Sequence, residues 1–138
     1  MYRKILVGYD GSERGRQAFD TALGLAAQHG AELFVLAVAH PPEIGDDVET
    51  EAVIENSRRH HQKLLDELKP AAESKGVKAH FEVAVGHPAE QIIYHADRHA
   101  VDVIVVGDRG RSKLTRWLLG SVSKQVVHYA ERAVLVVR

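Results

Sequence analysis

Gly107, Gly110, Gly120 and Ser121 stand at the spacing G-x2-G-x9-G-S. The apolar run Asp102 to Val106 comes directly before them, and a helix-like segment, Val122 to Ala130, follows. A strand therefore delivers the chain to a glycine-rich loop, and the loop delivers it to a helix N-terminus. Unpaired backbone amides and the helix dipole favour negative charge at such a place. Arg109, Arg111, Lys113 and Arg116 add four cationic side chains to the same stretch. The chemistry this suits is phosphate binding, and the expected ligand is a nucleotide.

Each residue of the loop has a bland role beside the functional one. Gly107 ends a strand and lets backbone approach a ribose or phosphate, while Gly110 permits a turn that a side chain would resist. Ser121 is a natural N-cap, yet its hydroxyl and the amides of Ser121 and Val122 can equally donate to a phosphate. Ser123 stands further along. The forked donors of Arg109 and Arg111 suit phosphate oxygens; Lys113 and Arg116 fit a solvated basic face as well. Trp117, Leu118 and Leu119 read as apolar anchors of the loop. Near the N-terminus, Tyr9-Asp10-Gly11-Ser12 closes another apolar run. Asp10 can bond a ribose or adenine edge, help hold a phosphate-bound metal, or cap the loop into the next helix. Val38 can offer an apolar wall to a purine or belong to the core.

The elements that must position these groups are short. Lys4–Tyr9, Glu32–Ala39, Ala79–Val85, Asp102–Val106 and Ala133–Val137 are apolar runs, several of them continuous, as strands covered on both faces are. Helical patterns separate them: Ser12 to His29, stopped by Gly30; Val48 to Lys75, which Pro70 should bend or break; a third opened by Gly86-His87-Pro88; and a fourth after Ser121. The order β-α-β-α-β-α-β-α-β calls for an α/β fold, a parallel sheet with helices on both faces. Ligands in such folds sit beyond the carboxyl ends of strands where the strand order reverses. The basic loop and the segment Pro41 to Asp47 both fall at that edge.

With 138 residues the chain makes one domain, 1–138, and Lys+Arg 18 against Asp+Glu 19 gives no overall pull toward nucleic acid or an acidic membrane. The absence of cysteine excludes disulfides and thiol catalysis. No apolar stretch approaches a bilayer span, and a strand-like run begins at once with no signal peptide ahead of it, so a soluble cytoplasmic protein is expected. The phosphate loop G-x-x-x-x-G-K-[ST], the G-x-G-x-x-G fingerprint, the H-x-G-H nucleotidyltransferase signature and the G-x-S-x-G elbow are all missing. His95 and His99, four apart on a helix, have metal-ligand spacing but no evident third ligand, so no metal site is expected there. His60-His61 beside Arg58-Arg59 read as a solvated stretch.

The opening KILVGYDGSE, the G-x2-G-x9-G-S loop and the closing AVLVVR resemble the universal stress protein family across the whole chain. Within that family the loop marks the ATP-binding branch. The resemblance implies a doubly wound five-stranded sheet of order 3-2-1-4-5 and a homodimer paired through the last strand, here Val134–Val137. It also implies that Asp10 and Val38 flank adenine and ribose, and that Gly107 and Gly110 line ribose and phosphates. Gly120, Ser121 and Val122 would hold the phosphate tail of ATP with Mg2+ or Mn2+, with ADP or AMP as competitors. The sequence departs from the family pattern at Asp108-Arg109, which puts an extra negative charge in the loop, and at Ala133, where proline is common. The leading expectation is an ATP-binding stress-response or signalling module. A slow metal-dependent ATPase or autophosphorylating enzyme and a nucleotide-free dimeric adaptor are the alternatives. The sequence names no protein partner.

Overall fold

The computed structural model describes residues 2–39, 48–108 and 120–138. Its elements run β1 (Lys4–Gly8), α1 (Glu13–His29), β2 (Glu32–Ala39), α2 (Val48–Asp66), α3 (Lys69–Ser74), β3 (Ala79–Val85), α4 (Pro88–His99), β4 (Val103–Gly107), α5 (Ser121–Tyr129) and β5 (Ala133–Val137). The strands form one sheet of order β3-β2-β1-β4-β5, and every neighbouring pair is parallel. This is the doubly wound α/β sheet that the sequence calls for. None of the helices among the described residues is long and apolar enough to cross a membrane.

The continuous apolar runs are explained by burial on two faces. In β1, Ile5, Leu6 and Val7 are fully buried, with Ile5 and Val7 packing in one core cluster and Leu6 in the other. Phe19, Ala22 and Leu65 fill the first cluster, between the sheet and helices α1, α2 and α3. Ile92, Ala96 and Val126 fill the second, under α4 and α5. Alternate side chains of a strand point to opposite faces, so each run must be apolar at every position to serve both layers.

Helix boundaries follow local chemistry. Ser12 caps α1, its side chain accepting from the Gly15 amide at 3.0 Å, and Gly30 ends it in the left-handed region at φ 65°. The single helix expected over Val48 to Lys75 is two, α2 and α3. The Leu68 amide turns back to the Leu65 carbonyl, and Pro70 lies in the first turn of α3, where its missing N–H is tolerated. The fourth strand starts one residue later than the sequence suggests because the Asp102 side chain has other partners. Its Oδ2 accepts from the amides of Arg3 at 2.7 Å and Lys4 at 3.0 Å, tying the start of β4 to the start of β1.

Those two backbone donors, Arg3 first, hold the Asp102 carboxyl below its ordinary pKa. A depressed carboxyl pKa stabilises the fold above the unfolded value, about 3.9, and that contribution is lost as pH falls through the folded value. Replacing Asp102 by Ala should therefore cost about 1 kcal/mol in urea denaturation at pH 7, less than the ~1.5–3 kcal/mol of hydrogen bonds to charged groups because the group is exposed. The gap between wild type and variant should begin to narrow as pH falls below the unfolded value of about 3.9 and close below the folded one.

Candidate functional site

The sheet reverses direction of winding between β1 and β4, with β2 on the far side of β1. A cavity of about 390 Å3 opens at the carboxyl ends of these strands. Gly8, Tyr9 and Asp10 come to it from β1 and its exit, Leu36 and Val38 from β2, and Val106 and Gly107 from β4. The first turns of two helices close it, with Arg14 and Gly15 from α1 and Gly120, Val122 and Ser123 from α5. Pro88 and Ile92 of α4 and Ser57 and His61 of α2 complete the wall.

Asp10 performs the capping role and also lines the cavity. Its Oδ1 accepts from the Ser12 amide at 2.9 Å and the Ser12 hydroxyl at 2.5 Å, and that hydroxyl accepts in turn from the Gly15 amide. A Cβ on Gly15 would stand 2.7 Å from Asp10 Oδ1, so the glycine is what allows the carboxylate to lie against the helix. Gly107 has a similar steric reason: a Cβ there would meet the Arg14 carbonyl oxygen at 2.7 Å. The bare strand end lets α1 approach as well as exposing backbone to the cavity. Burial pushes the Tyr9 phenol above its ordinary pKa, against the opposing pull of Arg16, so Tyr9 is an uncharged wall at neutral pH.

Asp108 does not direct its charge at the cavity mouth. It is 3 % exposed, its Oδ1 accepts from the Gly120 amide at 2.7 Å, and its Oδ2 lies 3.8 Å from Arg138 Nε. The residue read as an extra negative charge in the loop is therefore a clasp joining the end of β4 to the start of α5. It also moves the helix start: Gly120, extended at φ −64° and ψ 163°, is the N-cap, and Ser121 is the first helical residue. The Gly120 amide is thereby engaged, and the Gly120 carbonyl accepts from the Ser123 hydroxyl at 3.1 Å. The N-cap Gly120 supplies no side-chain cap, and among the described residues the first-turn amides of α5 keep the donor character of a helix N-terminus. Ser121 is exposed and lies outside the cavity lining, whereas the buried Ser123 lines it.

Of the residues singled out in the sequence, Asp10, Val38, Gly107, Gly120 and Val122 converge on one cavity. Arg109, Gly110 and Arg111 lie outside the described residues, as do Lys113, Arg116, Trp117, Leu118, Leu119 and the segment 41–47. Sequence reasoning missed Arg14, Ser57 and His61. His61 is half-buried rather than solvated, with Nδ1 2.7 Å from the Ser57 carbonyl. Their i, i+4 spacing on α2 was the available signal, without any indication that this face meets the sheet edge.

Fold and cavity together define a doubly wound α/β domain with a crevice at its topological switch point, the place where such folds hold small ligands. The family is settled by comparison: the universal stress protein family model matches residues 1–138, and the chain belongs to that family. It is similar to universal stress protein YxiE of Bacillus subtilis, 35% identical over 153 residues covering 100% of both chains. Among solved structures it resembles UspA from Lactobacillus plantarum, with TM-score 0.89 and 25% identity over 99% of this chain and 98% of that one. It also resembles a universal stress protein in complex with cAMP, with TM-score 0.79 and 27% identity over 99% and 97% of the two chains.

Replacing Asp108 by Ala removes the acceptor of a part-buried amide, a loss of about 1–3 kcal/mol. The expected result is a lower midpoint in thermal denaturation. A midpoint unchanged from wild type would show that the clasp contributes nothing to stability.

Proposed function

We propose that this protein is a nucleotide-binding module of the stress-response type, taking an adenine nucleotide in the cavity between β1, β4 and α5. The observation that carries this reading is the convergence of Asp10, Val38, Gly107 and Val122 on one cavity at the switch point. Its volume, about 390 Å3, lies within the range of small-ligand sites. Val38, Leu36 and Ile92 offer an apolar wall for a base, and Asp10 stands where a ribose or a phosphate-bound Mg2+ or Mn2+ would be held. Val122 and Ser123 place the uncapped first turn of α5 toward a phosphate tail, and Arg14 brings a cation to the same wall. Arg109, Gly110, Arg111 and Ser121 belong to the same proposal through the family resemblance. The cAMP complex of a related protein supports an adenine nucleotide as the class; ATP with a divalent metal is the member the G-x2-G-x9-G-S loop favours.

A homodimer through β5 belongs to this reading. The strand ends the sheet, with one edge unpaired by the other described strands, and Leu135 is exposed on it, as are Val127 and Tyr129 of α5. Such an edge is a template for a second strand. We place the module in the cytoplasm, acting by binding rather than turnover.

A ligand that binds the folded state stabilises it by about 2.7 kcal/mol at a hundredfold excess over Kd. Mg-ATP should therefore raise the melting temperature by on the order of 10 °C. Isothermal titration should saturate near one nucleotide per chain. Gly120→Glu, which sets a carboxylate at the mouth of the α5 amides, should abolish both signals while the circular dichroism spectrum stays native. Equal ATP affinity in that variant would sink the assignment, and cAMP binding without ATP binding would change the nucleotide but keep the site. Phosphate release above a mock-purified control would turn the reading toward the slow ATPase.

A further inference from the structure

A second cavity, of about 420 Å3, lies on the α4 side of the sheet toward the amino ends of the strands, and shares Leu36 alone with the first among the described lining residues. Two elements consecutive in the chain, β3 and α4, meet in it. On β3, His80 and Glu82 are alternate residues and share a face; on α4, His95 and His99 are one turn apart and share another. Glu82, His95 and His99 each offer one potential ligand atom, and these atoms all lie within 4.8 Å of one another. The third group that the helix spacing lacked in the sequence comes from the neighbouring strand.

His95 is the unusual member. It is 4 % exposed, and its Nδ1 is buried without a hydrogen-bond partner. The nearest carboxylate oxygen, Glu82 Oε2, stands 3.8 Å away, too far for a hydrogen bond. A buried imidazole nitrogen left unsatisfied costs about 1–3 kcal/mol, and a core position could have avoided that with an apolar side chain. Two ligands of a tetrahedral metal, each about 2.1 Å from the ion, stand about 3.4 Å apart. Glu82 is half exposed, so a rotation of its side chain closes the difference. His80 is already committed to Glu32, whose carboxylate it bonds. Phe34 fixes the floor: its ring stacks on His99 at 4.2 Å and on His80 at 4.9 Å. Lys4 lines the same cavity, and the Glu32 carboxylate offsets its charge.

We propose that Glu82, His95 and His99 form a Zn2+ site that links β3 to α4. Two imidazoles and one carboxylate are borderline nitrogen and oxygen donors, a set that suits Zn2+ and its first-row neighbours. Mg2+ and Ca2+ take six or more oxygens and are disfavoured. Three protein ligands leave a fourth position for water or an anion from the open cavity. The bound ion supplies the missing partner of His95 Nδ1 and joins β3, the outermost strand on that side of the sheet, to the helix that follows it in the chain. This inference does not rest on the nucleotide reading.

The test is titration of untagged, chelator-treated protein with ZnCl2 against a competing indicator dye, with wild type, Glu82→Ala and His99→Gln in parallel. One Zn2+ per chain and a higher melting temperature are expected for wild type, with affinity falling roughly tenfold or more in each variant. X-ray absorption of the loaded protein should give nitrogen and oxygen neighbours at about 2.0–2.2 Å. The chain has nine histidines, so Zn2+ binding that persists unweakened in Glu82→Ala would belong to another cluster and would overturn the proposal. Absence of saturable binding by wild type would overturn it equally. Should His99→Gln fail to fold, the exposed Glu82→Ala variant decides alone.

Discussion

A parallel strand cannot be joined to its neighbour by a tight turn. Each connection must cross a face of the sheet, and the crossover has a fixed hand. With five strands all parallel, every crossover here deposits a helix on one face or the other. The direction of winding must reverse once for both faces to be covered. The reversal falls between β1 and β4, and there the connecting segments leave in opposite directions. A crevice results that side chains of neither layer fill. The position of the first cavity is thus a consequence of covering the sheet, and the residues around it adapt a space that the topology already provides.

The same constraint explains why most of the fold could be read from the sequence. Strands buried on both faces must be apolar throughout, and the run Ile5, Leu6, Val7 shows this without knowledge of its neighbours. The caps Ser12 and Gly30 are local chemistry and were equally legible. Gly107 was recognised as special, but its packing reason was not. The Arg14 carbonyl it accommodates belongs to a helix start nearly a hundred positions away in the chain. Ser57 and His61 were hidden for a similar reason, since nothing local tells which helix reaches over the crevice.

Asp108 was misjudged, and Glu82 was passed over, because a carboxylate's partners do not show in a sequence. A carboxylate in a sequence reads as a solvated charge, since burying one costs several kcal/mol unless it is bonded. Asp108 is bonded, to an amide twelve residues on, and Glu82 faces two histidines of the helix that folds back over its strand. Neither partnership has a sequence period. The helix pattern of α4 correctly put His95 and His99 on one face, and only the position of β3 could reveal what that face meets.

The clasp between Asp108 and Gly120 also separates two kinds of change that evolution can make. The end of β4 and the start of α5 are held together by one hydrogen bond between residues twelve positions apart. The entropy of closing a loop grows slowly with its length, by about 0.6 kcal/mol for each doubling. A change in the number of residues between the two ends therefore alters the cost of forming the clasp little, whereas a change at Asp108 itself removes it. Length is what lineages can vary freely here, and the pair at the ends is what they must keep.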